Sequence, residues 1–401
     1  MQLSDVNRAL NSISAFIATD LIPLRQRGLW QGVSNIMWGV GAGLGGFYGG
    51  WIHDIIGWRW AFLIQVPLLF VSTALVIRNV PVAPSAPVNR PKLKRIDFFG
   101  SFLLVLSLVL LLLGLTIGGN LVSWFHPLVM ANLFSSLILA LSFVFAEIYI
   151  ASEPIIPIPL LINRTIAASC LTNMLDTMIE YVLHFYGPIY FQILGFSATR
   201  SGTILIPQAV GVVFGSIIAG YIMRVTGRYW TLNVVLETLR LGAAIGLVLF
   251  SSRTAPTWPI YAAYGVAGFC YAGMLTTALV ALVSAVDHAH QALVTSASYT
   301  FRYMGSALGV SVSSAVFQNV VGDKLWCRFA GRPGAEDIIE DVRKSLDSVK
   351  KLPPEWRDDV LSSYMAAVTS VWVVVGIISV LALGAAMVMR EHRLHSTLSR
   401  K

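Results

Sequence analysis

Ten apolar stretches, each long enough to cross a bilayer, leave this 401-residue chain few ways to fold. A spanning helix needs about 20 mainly apolar residues, because lipid offers the backbone no partners and the helix must satisfy its own hydrogen bonds. The stretches fall at 29–52, 58–78, 98–119, 128–150, 165–192, 200–223, 229–250, 258–285, 291–320 and 363–389. Charged residues make up 12% of the chain, against about 25% in a soluble domain. The predicted fold class is all-α, a polytopic membrane protein of about 10 spans whose first partner is the lipid bilayer. The net charge of +8 does not point to nucleic acid, since most of the positive charge lies in short loops between the apolar blocks. Three cysteines, Cys170, Cys270 and Cys327, lack metal-ligand spacing and support neither a disulfide framework nor a zinc site. Residues 1–9 are polar and carry no signal-peptide pattern.

The loops set the expected sidedness. One face collects Arg25, Arg27, Arg78, Arg90, Lys92, Lys94, Arg95, Arg164, Arg224, Arg228, Arg390, Arg393, Arg400 and Lys401, whereas the other holds Arg59, Arg200 and Arg253. An excess of fourteen basic residues against three makes the first face cytosolic. Two connections are long: 79–97, Pro-rich and then basic, and 321–362, of mixed charge, with a small amphipathic helix expected around Glu336–Lys351. Asn163-Arg164-Thr165 reads as a glycosylation sequon, but on the cytosolic face it should go unused.

Charges inside spans are costly, so they are usually paired, hydrated or functional. Asp176, Glu180 and His184 stand four residues apart and share a helix face, with Asn173 and Tyr181 beside them. Two neighbouring carboxylates can exchange a proton with a cationic solute, and the expected place for them is the cavity between two helix bundles. Glu237 and Arg240, three apart, are expected to pair with each other. Arg302 is alone in its span and needs an acid, carbonyls or the carboxylate of an amino acid substrate. Gln65 precedes Pro67 within a span and is a further cavity candidate. Glu147 and Asp54, near helix ends, are expected to be solvated. No phosphate loop, zinc-binding His pair or nucleophile elbow is found, so neither ATP-driven transport nor enzymatic activity is expected. What is left is coupling to an ion gradient, with no cofactor and no metal.

Glycines repeat four apart at Gly41, Gly45 and Gly49, with Gly46 and Gly50 on a second ladder; small residues at this spacing let helix backbones approach closely. Gly211 with Gly215 and Gly305 with Gly309 repeat the device. The run Gly41-Ala-Gly-Leu-Gly45-Gly46-Phe-Tyr-Gly49-Gly50 resembles the antiporter motif of the major facilitator superfamily, with Gly46 where that family usually has Pro. Gly220-Tyr-Ile-Met-Arg224-Val-Thr-Gly227-Arg228 resembles the C-terminal copy of its cytosolic loop motif. Glu153-Pro154-Ile-Ile-Pro157, Asn163-Arg164-Thr165 and Thr226-Gly227-Arg228-Tyr229-Trp230 are similar to the fourteen-span branch, nearest to fungal vacuolar basic amino acid transporters. The resemblance implies that residues 1–97 form part of an N-terminal bundle followed by a basic cytosolic loop. Residues 98–164 would be two extra central helices, and 165–401 a six-helix C-terminal bundle with a non-cytosolic loop at 321–362. It also implies that about the first three and a half family helices lie outside this sequence. A proton antiporter of small cationic solutes follows, monomeric, in the vacuolar membrane and moving basic amino acids. The alternatives are a plasma-membrane multidrug:proton pump and a transport-inactive fragment.

Overall fold

The computed structural model describes residues 37, 39–41, 44, 45, 47–79, 97–119, 122–151, 154–287, 290–329, 339, 342 and 353–391. Half of the expected first span, the basic run 80–96 and most of 330–352 lie outside the described residues, as do Gly46 and Arg393. Residues 47–56 are helical and end at Gly57, whose φ of +92° suits a residue without a Cβ. Twelve named helices follow. They are α1 (Trp58–Leu63), α2 (Gln65–Asn79), α3 (Phe98–Ile117), α4 (Pro127–Tyr149), α5 (Ile158–Leu161), α6 (Arg164–Ile193), α7 (Ala198–Gly202), α8 (Leu205–Thr226), α9 (Trp230–Phe250), α10 (Trp258–Ser284), α11 (Gln291–Phe329) and α12 (Pro354–Val388). Among the described residues the sole non-helical pairing is one bridge between Gly118 and Val122.

The helix ends follow local chemistry. Asp97 caps α3 by accepting from Gly100 N at 2.8 Å. Asn163 caps α6 by accepting from Thr165 N at 3.0 Å, so the sequon asparagine serves the helix. Gly227 ends α8 with φ +66°, donating to Met223 O at 2.9 Å. Pro188 interrupts the bonding within α6, and Tyr264 Oη donates to the nearby Leu183 carbonyl at 3.0 Å.

Eight stretches are long and apolar enough to cross a membrane: α1 with α2, α3, α4, α7 with α8, α9, α10, α11 and α12. The acid-bearing α6 is long enough at 30 residues but less apolar. The core is the bundle α6–α12. In α10, 61% of the apolar window is buried, whereas none of the α1–α2 window is. Helices α3 and α4 form a hairpin, closed by Ser136 Oγ donating to Ser107 O at 2.8 Å. That hairpin leans on α11, where Phe301 packs against Leu103 and Phe143.

Close packing uses glycine where the sequence suggested it on α8 and α11. A Cβ at Gly211 or Gly215 would collide with the α10 backbone at Gly265 and Phe269, and one at Gly305 or Gly309 with α6 at Met174 and Met178. Within 41–50 the close approach falls on Gly50. Among the described residues a Cβ at Gly41, Gly45 or Gly49 would meet nothing within 4 Å, while one at Gly39 would meet Val212 and one at Gly50 the backbone of Ala198 and Thr199. Gly39 and Gly50 are eleven residues apart, close to three turns, so they share the packing face and the Gly41 ladder lies off it.

Two helices outrun their expected ends. The apolar stripe Val321, Leu325 and Phe329 is buried and carries α11 nine residues past 320, and α12 starts at Pro354 rather than 363. Phe329 stacks on Trp356 at 4.6 Å, closing the two extensions together. Ile339 and Val342, within the expected amphipathic helix, are helical and buried; its other residues are outside the described set. Glu147 is not solvated. It is 4% exposed and accepts from Ile155 N at 3.1 Å, because the chain turns back over the end of α4. Asp54 is exposed but bonded, accepting from Thr199 N at 3.1 Å.

Candidate functional site

The stripe on α6 winds around its helix. With about 3.6 residues per turn, each step of four overshoots a full turn by about 40°, so the stripe sweeps about 80° from Asp176 to His184. The open side of α6 is marked by Leu171 and Phe185, 41% and 58% exposed. Asp176 points away from it, Glu180 follows, and His184 comes out at the edge with 23% of its side chain exposed.

Asp176 and Glu180 are wholly buried and face α8 and α9 inside the C-terminal bundle. This corrects the expectation that they line a cavity wall; equal spacing fixes a shared face but not its direction. What draws them inward is Arg240 of α9. Its Nη1 lies 3.0 Å from Asp176 Oδ1, and its Nη2 donates to the Asp176 carbonyl at 2.9 Å. Nη2 also lies 3.8 Å from Glu180 Oε2, and the guanidinium covers the Tyr271 ring at 5.6 Å. Arg240 therefore ion-pairs across to α6, and not with its helix neighbour Glu237 as the spacing suggested. Asp176 offers it a carboxylate and a carbonyl together, a better match for a forked donor.

Glu237 is 1% exposed, and its carboxyl neighbours that of Asp176. No donor group among the described residues reaches its oxygens. The cluster thus holds three carboxyl groups and one guanidinium, all at most 1% exposed.

Its outer edge runs through Gln208 of α8. Gln208 Nε2 donates to Glu180 Oε1 at 2.9 Å and approaches His184 Nδ1 at 3.5 Å. His184 Nδ1 also lies 2.8 Å from the Glu180 carbonyl. Tyr181 flanks His184, with ring centroids 6.2 Å apart. Sequence reasoning missed Gln208. The signal was present, since Gln208 follows Pro207 within a span much as Gln65 precedes Pro67. Gln65 itself is exposed and donates to Ala61 O of the preceding α1, 2.9 Å away, outside the site.

Asn173 and Arg302 form a second locus. Asn173 Nδ2 donates to Ser298 Oγ of α11 at 2.9 Å. Arg302 pairs with no acid among the described residues. Its Nη2 donates to Tyr271 Oη at 3.4 Å and its guanidinium lies 5.2 Å from the Tyr299 ring centre. Tyr271, also missed, thus touches both arginines. The loop motif behaves as a helix terminus: Gly227 caps α8, Arg224 and Arg228 are exposed, and a Cβ at Gly220 would meet nothing within 4 Å among the described residues.

A model of the Major Facilitator Superfamily matches residues 7–310. Over 395 residues the chain is 32% identical to Multidrug resistance protein fnx1 of Schizosaccharomyces pombe, covering 98% of this chain and 74% of that protein. It is 33% identical over 362 residues to Vacuolar membrane amino acid uptake transporter fnx2 of the same organism, covering 90% of this chain and 62% of that one. Vacuolar basic amino acid transporter 2 of Saccharomyces cerevisiae is 30% identical over 395 residues, with 93% and 82% covered. These relatives are transporters and not enzymes. With its near-continuous membrane helices, its glycine-packed bundle and this match over most of its length, the chain is an integral membrane protein that belongs to the major facilitator superfamily.

Proposed function

We propose that the chain is a proton-coupled antiporter of small cationic solutes, basic amino acids first among them, in the vacuolar membrane. It would belong to the fourteen-span branch. The observation that carries the coupling is the composition of the buried cluster: Asp176, Glu180 and Glu237 against Arg240 alone. Burying an uncompensated ion costs several kcal/mol even after relaxation. A cluster with excess carboxyl groups therefore takes up protons when it is sealed and releases them when Arg240 or solvent intervenes. In this conformation the cluster is closed, and Gln208 with His184 is the side from which it would be reached. The names of the relatives support the substrate class, since fnx2 and Vacuolar basic amino acid transporter 2 are both described as amino acid transporters of the vacuole.

The test is uptake of labelled Lys, Arg and His into vacuolar vesicles carrying the full chain under an imposed proton gradient. Uptake should collapse with a protonophore and fall at least tenfold in Asp176→Asn. Uptake that persists without a gradient overturns the coupling. The second reading, multidrug efflux, is favoured by the name of fnx1. Drug sensitivity on deletion, with no amino acid uptake, would select it.

A further inference from the structure

Arg302 is a half-buried cation in a membrane bundle, and no carboxylate pairs with it among the described residues. A guanidinium presents five N–H donors in a fork suited to a planar anion. One long hydrogen bond, to Tyr271 Oη at 3.4 Å, and the face of Tyr299 use little of that capacity. The open side of Arg302 borders a narrow recess of about 20 Å³ between α6, α10 and α11, closed on its apolar side by Leu275 and Leu279. The polar lining is uniform in kind. Ser298 supplies a hydroxyl and Asn173 an amide, while Thr295 donates its hydroxyl to Gln291 O at 2.7 Å and the carboxylates of the buried cluster lie elsewhere. In this conformation the recess holds about one water-sized group.

We propose that this recess is a carboxylate subsite, in which Arg302 holds the α-carboxylate of a zwitterionic amino acid and Ser298 and Asn173 complete its hydrogen bonds. This rests on the transporter reading above and narrows it, from cations in general to cations that also carry a carboxylate. A simple amine or a lipophilic cationic drug has nothing to offer Arg302 and gains nothing there. The subsite also has a physical link to the buried cluster. Tyr271 is 1% exposed, receives Arg302 on its hydroxyl and lies under Arg240 with its ring. Neutralising Arg302 with a carboxylate changes the field at Tyr271 and hence at the guanidinium that holds Asp176.

The experiment is equilibrium binding of tritiated lysine to the purified full chain, competed with lysine, lysine methyl ester and cadaverine, the last being lysine without its carboxylate. A charge-assisted bond to Arg302 should make lysine at least about tenfold the better competitor over both analogues. In Arg302→Gln that preference should disappear while cadaverine binding is unchanged. Arg302→Lys should keep part of the preference. The proposal is overturned if cadaverine or the ester matches lysine on the native chain, if Arg302→Gln keeps the preference, or if lysine does not bind. Should Arg302→Gln fail to fold, the ligand series on the native chain decides alone. Failure of the transport reading is seen separately, as a lysine preference in binding with no gradient-driven uptake in vesicles.

Discussion

Arg240 is the one guanidinium among three buried carboxyl groups, so its loss and the loss of a carboxylate are not equivalent. Arg240→Gln leaves Asp176 and Glu180 buried without their cation and should destabilise the protein by about 3–5 kcal/mol. The readout is the melting temperature in detergent. Adding Asp176→Asn should restore part of that loss, since the pair is then removed together; a double variant less stable than the single one would refute the ion pair. Glu237 invites a different substitution. A glutamine there carries its own donor toward Asp176, so Glu237→Gln should melt within about 1 kcal/mol of the native protein, on the scale of one ordinary hydrogen bond, yet transport without responding to the proton gradient. The sequence made these residues visible, because a charge within a span stands out in any apolar background. Their direction was not legible. The face occupied by Asp176 could have opened on a cleft or on a neighbouring helix, and only the position of Arg240, 64 residues on, decides it. Gln208 and Tyr271 stayed hidden for the opposite reason, since an amide and a phenol in a span look ordinary until a charged group is seen against them.

Helices were legible almost wherever composition alone decides, and least so where packing does. The ends of α3, α4, α6, α9 and α10 fall within a few residues of the apolar boundaries. The ends of α11 and α12 do not, because Asp323, Lys324 and Arg328 interrupt the first, and Glu355, Arg357, Asp358 and Asp359 the second. The buried face continues beneath those charges through Val321, Leu325 and Phe329, and a hydropathy average over all faces dilutes it. Glycine behaves the same way: spacing shows a smooth face, and the neighbour decides whether it matters. Gly215 backs directly onto Phe269 of α10, so Gly215→Leu should force α8 from α10 and cost at least about 1–3 kcal/mol, seen as lost monodispersity or a lower melting temperature. Gly220 meets nothing among the described residues, and Gly220→Leu on the same helix should be tolerated. Equal damage from both would mean that helix propensity, rather than close approach, explains the glycines of α8.

At the scale of the whole molecule, the alternation of helix ends can be traced through named contacts. At one end the start of α6, the α8–α9 junction and the end of α12 meet: Tyr229 Oη donates to Arg390 O at 2.6 Å and Arg390 N to Thr165 Oγ1 at 3.3 Å. At the other, Thr203 Oγ1 lies 3.1 Å from Tyr261 Oη and Arg253 Nη2 donates to Asp358 at 3.1 Å. Arg164, Arg224, Arg228 and Arg390 thus gather at the first end, and Arg200 and Arg253 at the second. The positive-inside rule then places the first end in the cytosol. The chain carries its own probe of that orientation. Cys327, near the end of α11, is exposed and lies at the second end, where Phe329 stacks on Trp356, whereas Cys170 and Cys270 are buried. A membrane-impermeant maleimide applied to sealed vacuoles, cytosolic face outward, should therefore leave the protein unmodified. Permeabilising the membrane should add one label, and Cys327→Ser should abolish it. Labelling in sealed vacuoles would invert the topology and, with it, the side from which His184 and Gln208 could pass protons to the buried acids.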